Sequence, residues 1–288
     1  MKIDGLTRTC GLIGDPVEHT LSPLIHNTLA KKQGCNLVYV PFHVKRENLA
    51  HIVKGAYGLN ILGMNVTVPY KSDIIPYLDK VDSLAGKIGA VNTLVRTEKG
   101  YEGYNTDISG LYRAMCSENI QLEGSRIILL GAGGAARAAA FLCAEKGAEQ
   151  IYLLNRSIDK AEVLADEINR VYNRNCMQPM ALADYEKLPN QKMLAIQSTS
   201  VGLYPNVEDV VIKDTEFYKN ICTAYDLIYK PEETRFMKLV KESGGRAYNG
   251  LKMLLYQGIT AYELWNQVSV PEEMAEEIYE LLKENVKI

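Results

Sequence analysis

Apolar residues follow two rhythms along this chain. Short apolar runs such as CGLIG (10–14), LVYVPFHV (37–44) and GMNVTV (63–68) alternate with stretches whose apolar positions recur every three or four residues. The first rhythm predicts buried strands and the second predicts amphipathic helices, here from about Ser22, Glu47 and Lys71. In AVNTLVRTEKGYEGYN, two short strands flank Glu98-Lys99-Gly100, which is hairpin chemistry rather than a crossover. RIILLGAGGAARAAAFLCAEKGAEQIYLLNRS (126–157) reads as apolar strand, glycine turn, alanine-rich helix and apolar strand. Further strands are expected at 176–182, 192–197 and 222–228, with helices at 158–171, 233–243, 250–266 and 272–284. The alternation predicts an α/β protein with an N-terminal α/β domain over 1–107, which the helices of 250–288 rejoin. A doubly wound parallel-sheet domain follows over 108–249. DISGLYRAMCSENI is expected as the helix between them.

Composition narrows the partners. A length of 288 residues suits two domains, and 47% apolar residues is ample for packed cores. The net charge of −3, with no long basic run, gives no footprint for nucleic acid, so a small molecule is the expected partner. The 6 cysteines form no CxxC pair and the 4 histidines form neither HxH nor HExxH, so no metal site is expected. MKIDGLTRTCGLIG lacks a continuous apolar core and no stretch reaches the length of a membrane span. A cytoplasmic location with no membrane contact is expected. The N-terminal sheet edge leaves room for a homodimer.

Gly131-Ala132-Gly133-Gly134-Ala135-Ala136 fits GxGxxG/A, with a strand before it, a helix after it and a second strand beyond. Such a turn lets the backbone approach a pyrophosphate, whose charge the free N–H groups and the helix dipole stabilise. An NAD site usually ends its second strand on an acid that takes the ribose hydroxyls. This chain offers Asn155-Arg156-Ser157, with Lys160 one helical turn later. An acid would repel a 2′-phosphate, whereas Arg156 can grip it bidentately and Lys160 can add a point charge, so NADP is expected. A reading of both as solvated surface charges leaves the missing acid unexplained.

Other polar groups gather at element ends. Thr20 and Ser22 in GDPVEHTLSPLIHN read either as a helix start, with Ser22 as its cap before Pro23, or as two hydroxyls that hold a ligand. MNVTVPYK places Asn65, Thr67 and Lys71 at the carboxyl edge of a strand, where ligands of open α/β sheets bind. Asn92 in GAVNTL and Asn105-Thr106-Asp107 after the hairpin add amide and carboxylate groups.

The segments HTLSPLIHN, NVTVPYK, GAVNT, GYNTD, GAGGAARA, NRS, STSVGLYP, DLIYKPEET and GLKMLLYQG occur in the order seen in the shikimate dehydrogenase family, which the chain resembles over nearly its whole length. The resemblance implies reversible NADPH-dependent reduction of 3-dehydroshikimate to shikimate, a step toward chorismate and the aromatic amino acids. It implies a substrate cleft between an N-terminal substrate-binding domain and a Rossmann-type NADP-binding domain. It further implies that Thr20 and Ser22 bond the substrate carboxylate, that Thr67, Lys71, Asn92, Asp107 and Gln257 surround the ring hydroxyls, and that Tyr229 faces the substrate. On the cofactor side it implies the 131–136 turn (Gly131, Ala132, Gly133, Gly134, Ala135), Asn155, Arg156, Thr199, Gly250 and Met253. For Met253, core packing is a nearly equal reading.

The chemistry supports the same residues. A hydride arriving at a ketone carbon builds negative charge on oxygen, which a positioned donor must stabilise and protonate. A free lysine titrates near ~10.4, so it starts protonated in the reducing direction, and a carboxylate beside it keeps it so. Lys71 is expected as the acid/base, with Asp107 as its orienting partner. The reverse reaction needs neutral lysine and is expected to speed up at alkaline pH. Hydride transfer also needs donor and acceptor about 3–3.5 Å apart, which predicts a cleft that closes.

Three positions depart from the commonest family pattern: Thr20 replaces serine, Gln197 a frequent asparagine and Leu203 a frequent methionine. The extra methyl of Thr20 bears on the choice between shikimate and quinate. Two alternatives stand beside the leading reading. One is a quinate/shikimate dehydrogenase of broader range that uses NAD. The other is a non-catalytic sensor of NADPH or a polyol acid, which would be expected to lose the acid/base pair that this chain keeps.

Overall fold

The structure is a computed structural model that describes residues 3–286. It divides into two compact units, Met1–Gly110 with Leu254–Leu282, and Leu111–Met253 with Lys283–Ile288. The divides at 110/111, 253/254 and 282/283 each fall inside a continuous helix, whereas the expected boundaries are 107/108 and 249/250 with 250–288 undivided.

The first unit is built on a sheet of β1 (Arg8–Gly14), β2 (Leu37–His43), β3 (Gly63–Val66), β4 (Lys80–Val81), β5 (Thr93–Arg96) and β6 (Tyr101–Tyr104), in the order β2-β1-β3-β5-β6-β4. β1 pairs parallel with β2 and β3, and β5 runs antiparallel to both β3 and β6. The predicted hairpin is therefore the β5–β6 pair. α1 (Ser22–Lys32), α2 (Leu49–Gly58) and α3 (Ser83–Ile88) complete the N-terminal part. From α8 (Leu251–Asn266), Trp265 donates its indole N–H to the Leu94 carbonyl at 2.9 Å, in space that Gly63 leaves open. Ile13, Met64, Val66, Leu94 and Tyr101 form the centre of a core here.

The second unit carries β7 (Arg126–Leu130), α5 (Gly134–Glu145), β8 (Gln150–Asn155), α6 (Ile158–Tyr172), β9 (Met177–Ala181), β10 (Met193–Gln197), β11 (Ile221–Asp226), α7 (Arg235–Glu242) and β12 (Arg246–Tyr248). Its strands lie in the order β12-β11-β10-β7-β8-β9, all parallel. Read from β9, this is the 3-2-1-4-5-6 arrangement of a dinucleotide-binding sheet, with the order reversing between β7 and β10. α5 buries Ala136, Ala138, Ala139, Ala140, Phe141 and Leu142 with little polar face, as its alanine-rich sequence requires. α4 (Thr106–Ser117), α8 and α9 (Glu272–Val286) each cross from one unit's residues into the other's.

Two local expectations are corrected, and three short elements were not foreseen. No α-helix starts at Lys71. The Lys71 carbonyl accepts from Val91 N at 2.7 Å and is taken from the helical ladder, and only a 3₁₀ turn forms at Ile75–Tyr77, around Pro76. Ser22 is not the cap of α1: it lies inside the helix, and its backbone N–H is taken by the Thr20 hydroxyl at 3.2 Å. β4, α3 and β12 are too short for the apolar rhythm to have announced.

Candidate active site

In the first unit, three of the sequence-predicted residues meet. Lys71 Nζ donates to Asp107 Oδ2 at 2.7 Å, and Asn92 Nδ2 donates to Asp107 Oδ1 at 2.9 Å, so both carboxylate oxygens are held. The pair is half-buried, with side-chain exposures of 32% for Lys71 and 17% for Asp107, which leaves it reachable while limiting solvent screening. Local sequence explains the placement. Asn105 precedes α4, and its Oδ1 accepts the backbone N–H groups of Asp107 at 3.1 Å and Ile108 at 3.4 Å, capping the helix. Asp107 thus sits in the first turn, where the helix dipole favours a carboxylate.

The remaining first-unit residues are placed separately. Thr20 donates its hydroxyl to Ser22 Oγ at 3.1 Å, making a two-hydroxyl group at the start of α1. Thr67 lies just beyond β3 and is half-buried. The Gln257 amide donates back to the Leu254 carbonyl of its own helix at 2.8 Å, while its backbone packs so closely on Gly110 that a Cβ there would lie 2.6 Å from Gln257 N. Tyr70 turns inward: its buried hydroxyl donates to the Val44 carbonyl at 2.7 Å, so its bulk does not crowd Lys71.

In the second unit the glycine turn has the form that its sequence required. Gly131 adopts φ +107°, which side-chain-bearing residues avoid, and a Cβ there would lie 2.9 Å from Thr199 Cγ2. Gly133 and Gly134 are exposed at the start of α5, and both line a cavity of about 490 Å³ with Ala132, Arg137, Asp159 and Lys160. Arg137 is held by both oxygens of Glu167 at 2.5 Å, and these bonds keep the Glu167 carboxyl below its usual range. Arg156 lines a different cavity of about 510 Å³ with Ala181, Leu182, Ala183, Tyr185, Val211, Ile212, Lys213 and Asp214. Arg156 and Lys160, expected together, thus face separate spaces. Asn155 donates to the Ser157 carbonyl at 2.8 Å and shapes the turn between them. Gly250 bonds its N–H to the Ile228 carbonyl at 3.0 Å, too near Leu227 for any side chain, and Met253 and Tyr229 are half-buried.

Sequence reading missed what organises the loops of this unit. Buried Gln197 accepts Thr199 N–H at 2.5 Å and donates to the Val201 carbonyl at 3.1 Å, while Asp226 accepts Ile228 N–H at 3.0 Å and the Thr234 hydroxyl at 2.7 Å. Gln197 Nε2 reaches Asp226 Oδ1 at 3.4 Å, tying the loop after β10 to the loop after β11. The signal was present in Gln197 and Asp226, polar ends of apolar strands. Burial pushes the Asp226 carboxyl up to about 6, the Thr234 and Ile228 bonds opposing. An unfolded aspartate titrates near ~3.9. The stability this group contributes is therefore complete at pH below ~4 and is lost as pH rises through 6. Asp226→Asn is expected to gain on the wild type by on the order of 1 kcal/mol between pH 5 and pH 7. Urea melts across that window check it, and a constant difference between the two proteins would reject it.

Among the described residues, no group of His, Cys, Asp and Glu stands ready to hold a metal, and no helix is long and apolar enough to cross a membrane. A 3-2-1-4-5-6 parallel sheet with an open glycine turn at its reversal point is the architecture of the dinucleotide-binding proteins. Comparison with known proteins makes the class specific. Residues 12–94 match the shikimate dehydrogenase substrate binding domain, and residues 114–204 match the shikimate / quinate 5-dehydrogenase model. The shikimate dehydrogenase (NADP(+)) of Carboxydothermus hydrogenoformans is 40% identical over 276 residues, covering 94% of this chain and 96% of that one. Two crystal structures share the architecture. The Listeria monocytogenes shikimate 5-dehydrogenase, solved with shikimate and NAD, is 32% identical with a TM-score of 0.90 and 98% of each chain covered. The Thermus thermophilus enzyme, solved with NADP(H) and shikimate, is 31% identical with a TM-score of 0.82, covering 95% of this chain and 99% of that one. The chain belongs to the shikimate dehydrogenase family.

Proposed function

We propose that this protein interconverts 3-dehydroshikimate and shikimate with NADP as the cofactor, and that Lys71 transfers the proton. The observation that carries the reading is the Lys71–Asp107–Asn92 cluster, a donor held by a carboxylate whose other oxygen is also fixed. NADPH, when bound, supplies the hydride to the ketone carbon. Lys71 Nζ gives its proton to the ketone oxygen as charge builds there, and in oxidation the neutral amine takes that proton back. Asp107 orients the ammonium, and it accepts a substrate hydroxyl. Thr20 and Ser22 hydrogen-bond the carboxylate of the cyclic acid. Thr67, Asn92, Gln257 and Tyr229 complete the substrate set.

The chain fits the cofactor. Gly131 permits the tight turn, the exposed N-terminal turn of α5 offers free N–H groups to a pyrophosphate, and Arg156 stands where an NAD site would carry an acid. Ala132, Ala135, Asn155, Lys160, Thr199, Gly250 and Met253 complete the cofactor set. The first unit is proposed as the substrate domain and the second as the NADP domain. Six thiols unpaired with one another fit a reducing cytoplasm, and β2, which ends its sheet, offers an edge for a homodimer.

Side-by-side initial rates with shikimate and quinate, each with NADP and NAD, test the reading. Shikimate with NADP is expected to give the highest kcat/KM. Preference for quinate with NAD would replace it with the broader quinate/shikimate dehydrogenase, and absence of turnover with all four pairs would replace it with a sensor.

A further inference from the structure

Behind the Lys71–Asp107–Asn92 cluster lies a buried polar chain, and of its members only Asn92 has a role in the proposed function. Tyr39, Asn65, Thr93, Thr106 and Asn92 are each no more than 4% exposed, and they bond in sequence. Tyr39 OH meets Asn65 Oδ1 at 2.8 Å, and Asn65 Nδ2 meets Thr93 Oγ1 at 3.1 Å. Thr93 Oγ1 and Thr106 Oγ1 lie 3.0 Å apart, and each is 3.1 Å from Asn92 Oδ1. The far end is held by aromatic packing, since the buried His26 ring stacks on Tyr39 with centroids 4.2 Å apart.

Donor and acceptor chemistry gives this chain a direction. The backbone N–H of Thr106 points at the Asn92 amide at 2.7 Å, and an N–H can only donate, so the atom it meets is the amide oxygen. The Asn92 NH₂ group is then the one that faces Asp107. In the same way, Asn65 meets the Asn92 backbone carbonyl at 3.2 Å with its NH₂ group, which leaves its oxygen for Tyr39 and makes Tyr39 the donor. Thr93 receives from Asn65, and its single proton can only pass onward to Thr106 or Asn92. Every link therefore donates toward the Asp107 carboxylate, and hydrogen bonds aligned this way strengthen one another in a low-dielectric interior.

The geometry points to Thr106 and Thr93 as positioning residues for the proton transfer: their hydroxyls, fed from Tyr39 through Asn65, join the Thr106 backbone N–H in locking the Asn92 amide in the one orientation that presents its NH₂ to Asp107. The inference rests on the reading of Lys71 and Asp107 as the catalytic pair. Were Asn92 free to turn over, its oxygen would face the carboxylate, and the repulsion would displace Asp107 and with it the lysine.

Valine and serine substitutions separate hydroxyl from shape. Thr106→Val is expected to lower kcat for shikimate oxidation roughly 10-fold, the worth of one buried hydrogen bond, with KM for NADP unchanged. Thr106→Ser, which keeps the hydroxyl, is expected to stay within about twofold of the wild type, and Thr93→Val to fall as Thr106→Val does. Because both threonines serve one lock, the double valine variant is expected to lose less than the product of the single losses. Wild-type kcat in both valine variants, with turnover abolished in Lys71→Ala, overturns the lock and leaves the catalytic pair standing. Turnover retained in Lys71→Ala instead removes the pair on which the lock depends. An equal loss in Thr106→Val and Thr106→Ser also overturns it, since the methyl rather than the hydroxyl would then matter. If thermal melts show the valine variants unfolded, Tyr39→Phe carries the test from the far end. A loss of kcat of roughly threefold supports the chain, and an unchanged kcat overturns it.

Discussion

Lys71→Ala is expected to lower kcat by ~10²- to 10⁴-fold, the range that a positioned acid/base supplies, while NADPH binding stays at the wild-type level. Of the three groups in the Lys71–Asp107–Asn92 cluster, the Nζ atom carries the proton proposed to move; Asn92 donates through an amide that does not exchange charge, and Asp107 is already held at both oxygens. Folding is expected to survive. The Lys71 side chain is one-third exposed, and its backbone anchor, the Lys71 carbonyl accepting from Val91 N, does not involve the side chain. Lys71→Arg separates charge from proton transfer: the guanidinium keeps the positive charge beside Asp107 but does not deprotonate, so oxidation is expected to fail as it does in the alanine variant. Fluorescence titration with NADPH alongside steady-state rates makes the measurement. A kcat within tenfold of the wild type in Lys71→Ala would remove the lysine from the proton step.

What the sequence made legible follows the range over which the forces act. The centre of the second unit could be read in order because β7 and β10 are buried on both faces and so appear as continuous apolar runs, and because Gly131 needs a backbone conformation that only glycine adopts readily. Lys71, Asn92 and Asp107 stood out as polar groups at element ends, and the structure brings Lys71 and Asn92 each within hydrogen-bond reach of Asp107. The failures are non-local. The helix expected from Lys71 lost to a single bond from Val91, twenty residues away and invisible to any local pattern. Tyr39 reads as one more apolar residue in LVYVPF and Thr93 as an ordinary strand residue. Their hydroxyls acquire meaning only when β1 and β3 bring β2 and β5 into one sheet. Gln197 was noted only as a departure from a pattern, yet its two ends organise the loop that carries Thr199.

Arg156→Asp is expected to reduce kcat/KM for NADP roughly 100-fold while leaving that for NAD unchanged or raised, because it removes a charge-assisted grip on the 2′-phosphate and supplies the acid that takes ribose hydroxyls. The side chain is exposed after β8, so the substitution leaves the core untouched. Lys160 provides the internal contrast. It lines the cavity that holds Gly133 and Gly134, apart from the one lined by Arg156, and we propose that its charge addresses a part that NAD and NADP share. Lys160→Ala is accordingly expected to weaken both cofactors by a similar factor of about 3–10, the worth of one exposed phosphate contact, with the NADP-to-NAD ratio preserved. Titration of each variant with NADPH and with NADH separates the two effects. A ratio that collapses in Lys160→Ala but holds in Arg156→Asp would reverse the assignment and place the 2′-phosphate on the glycine-turn side.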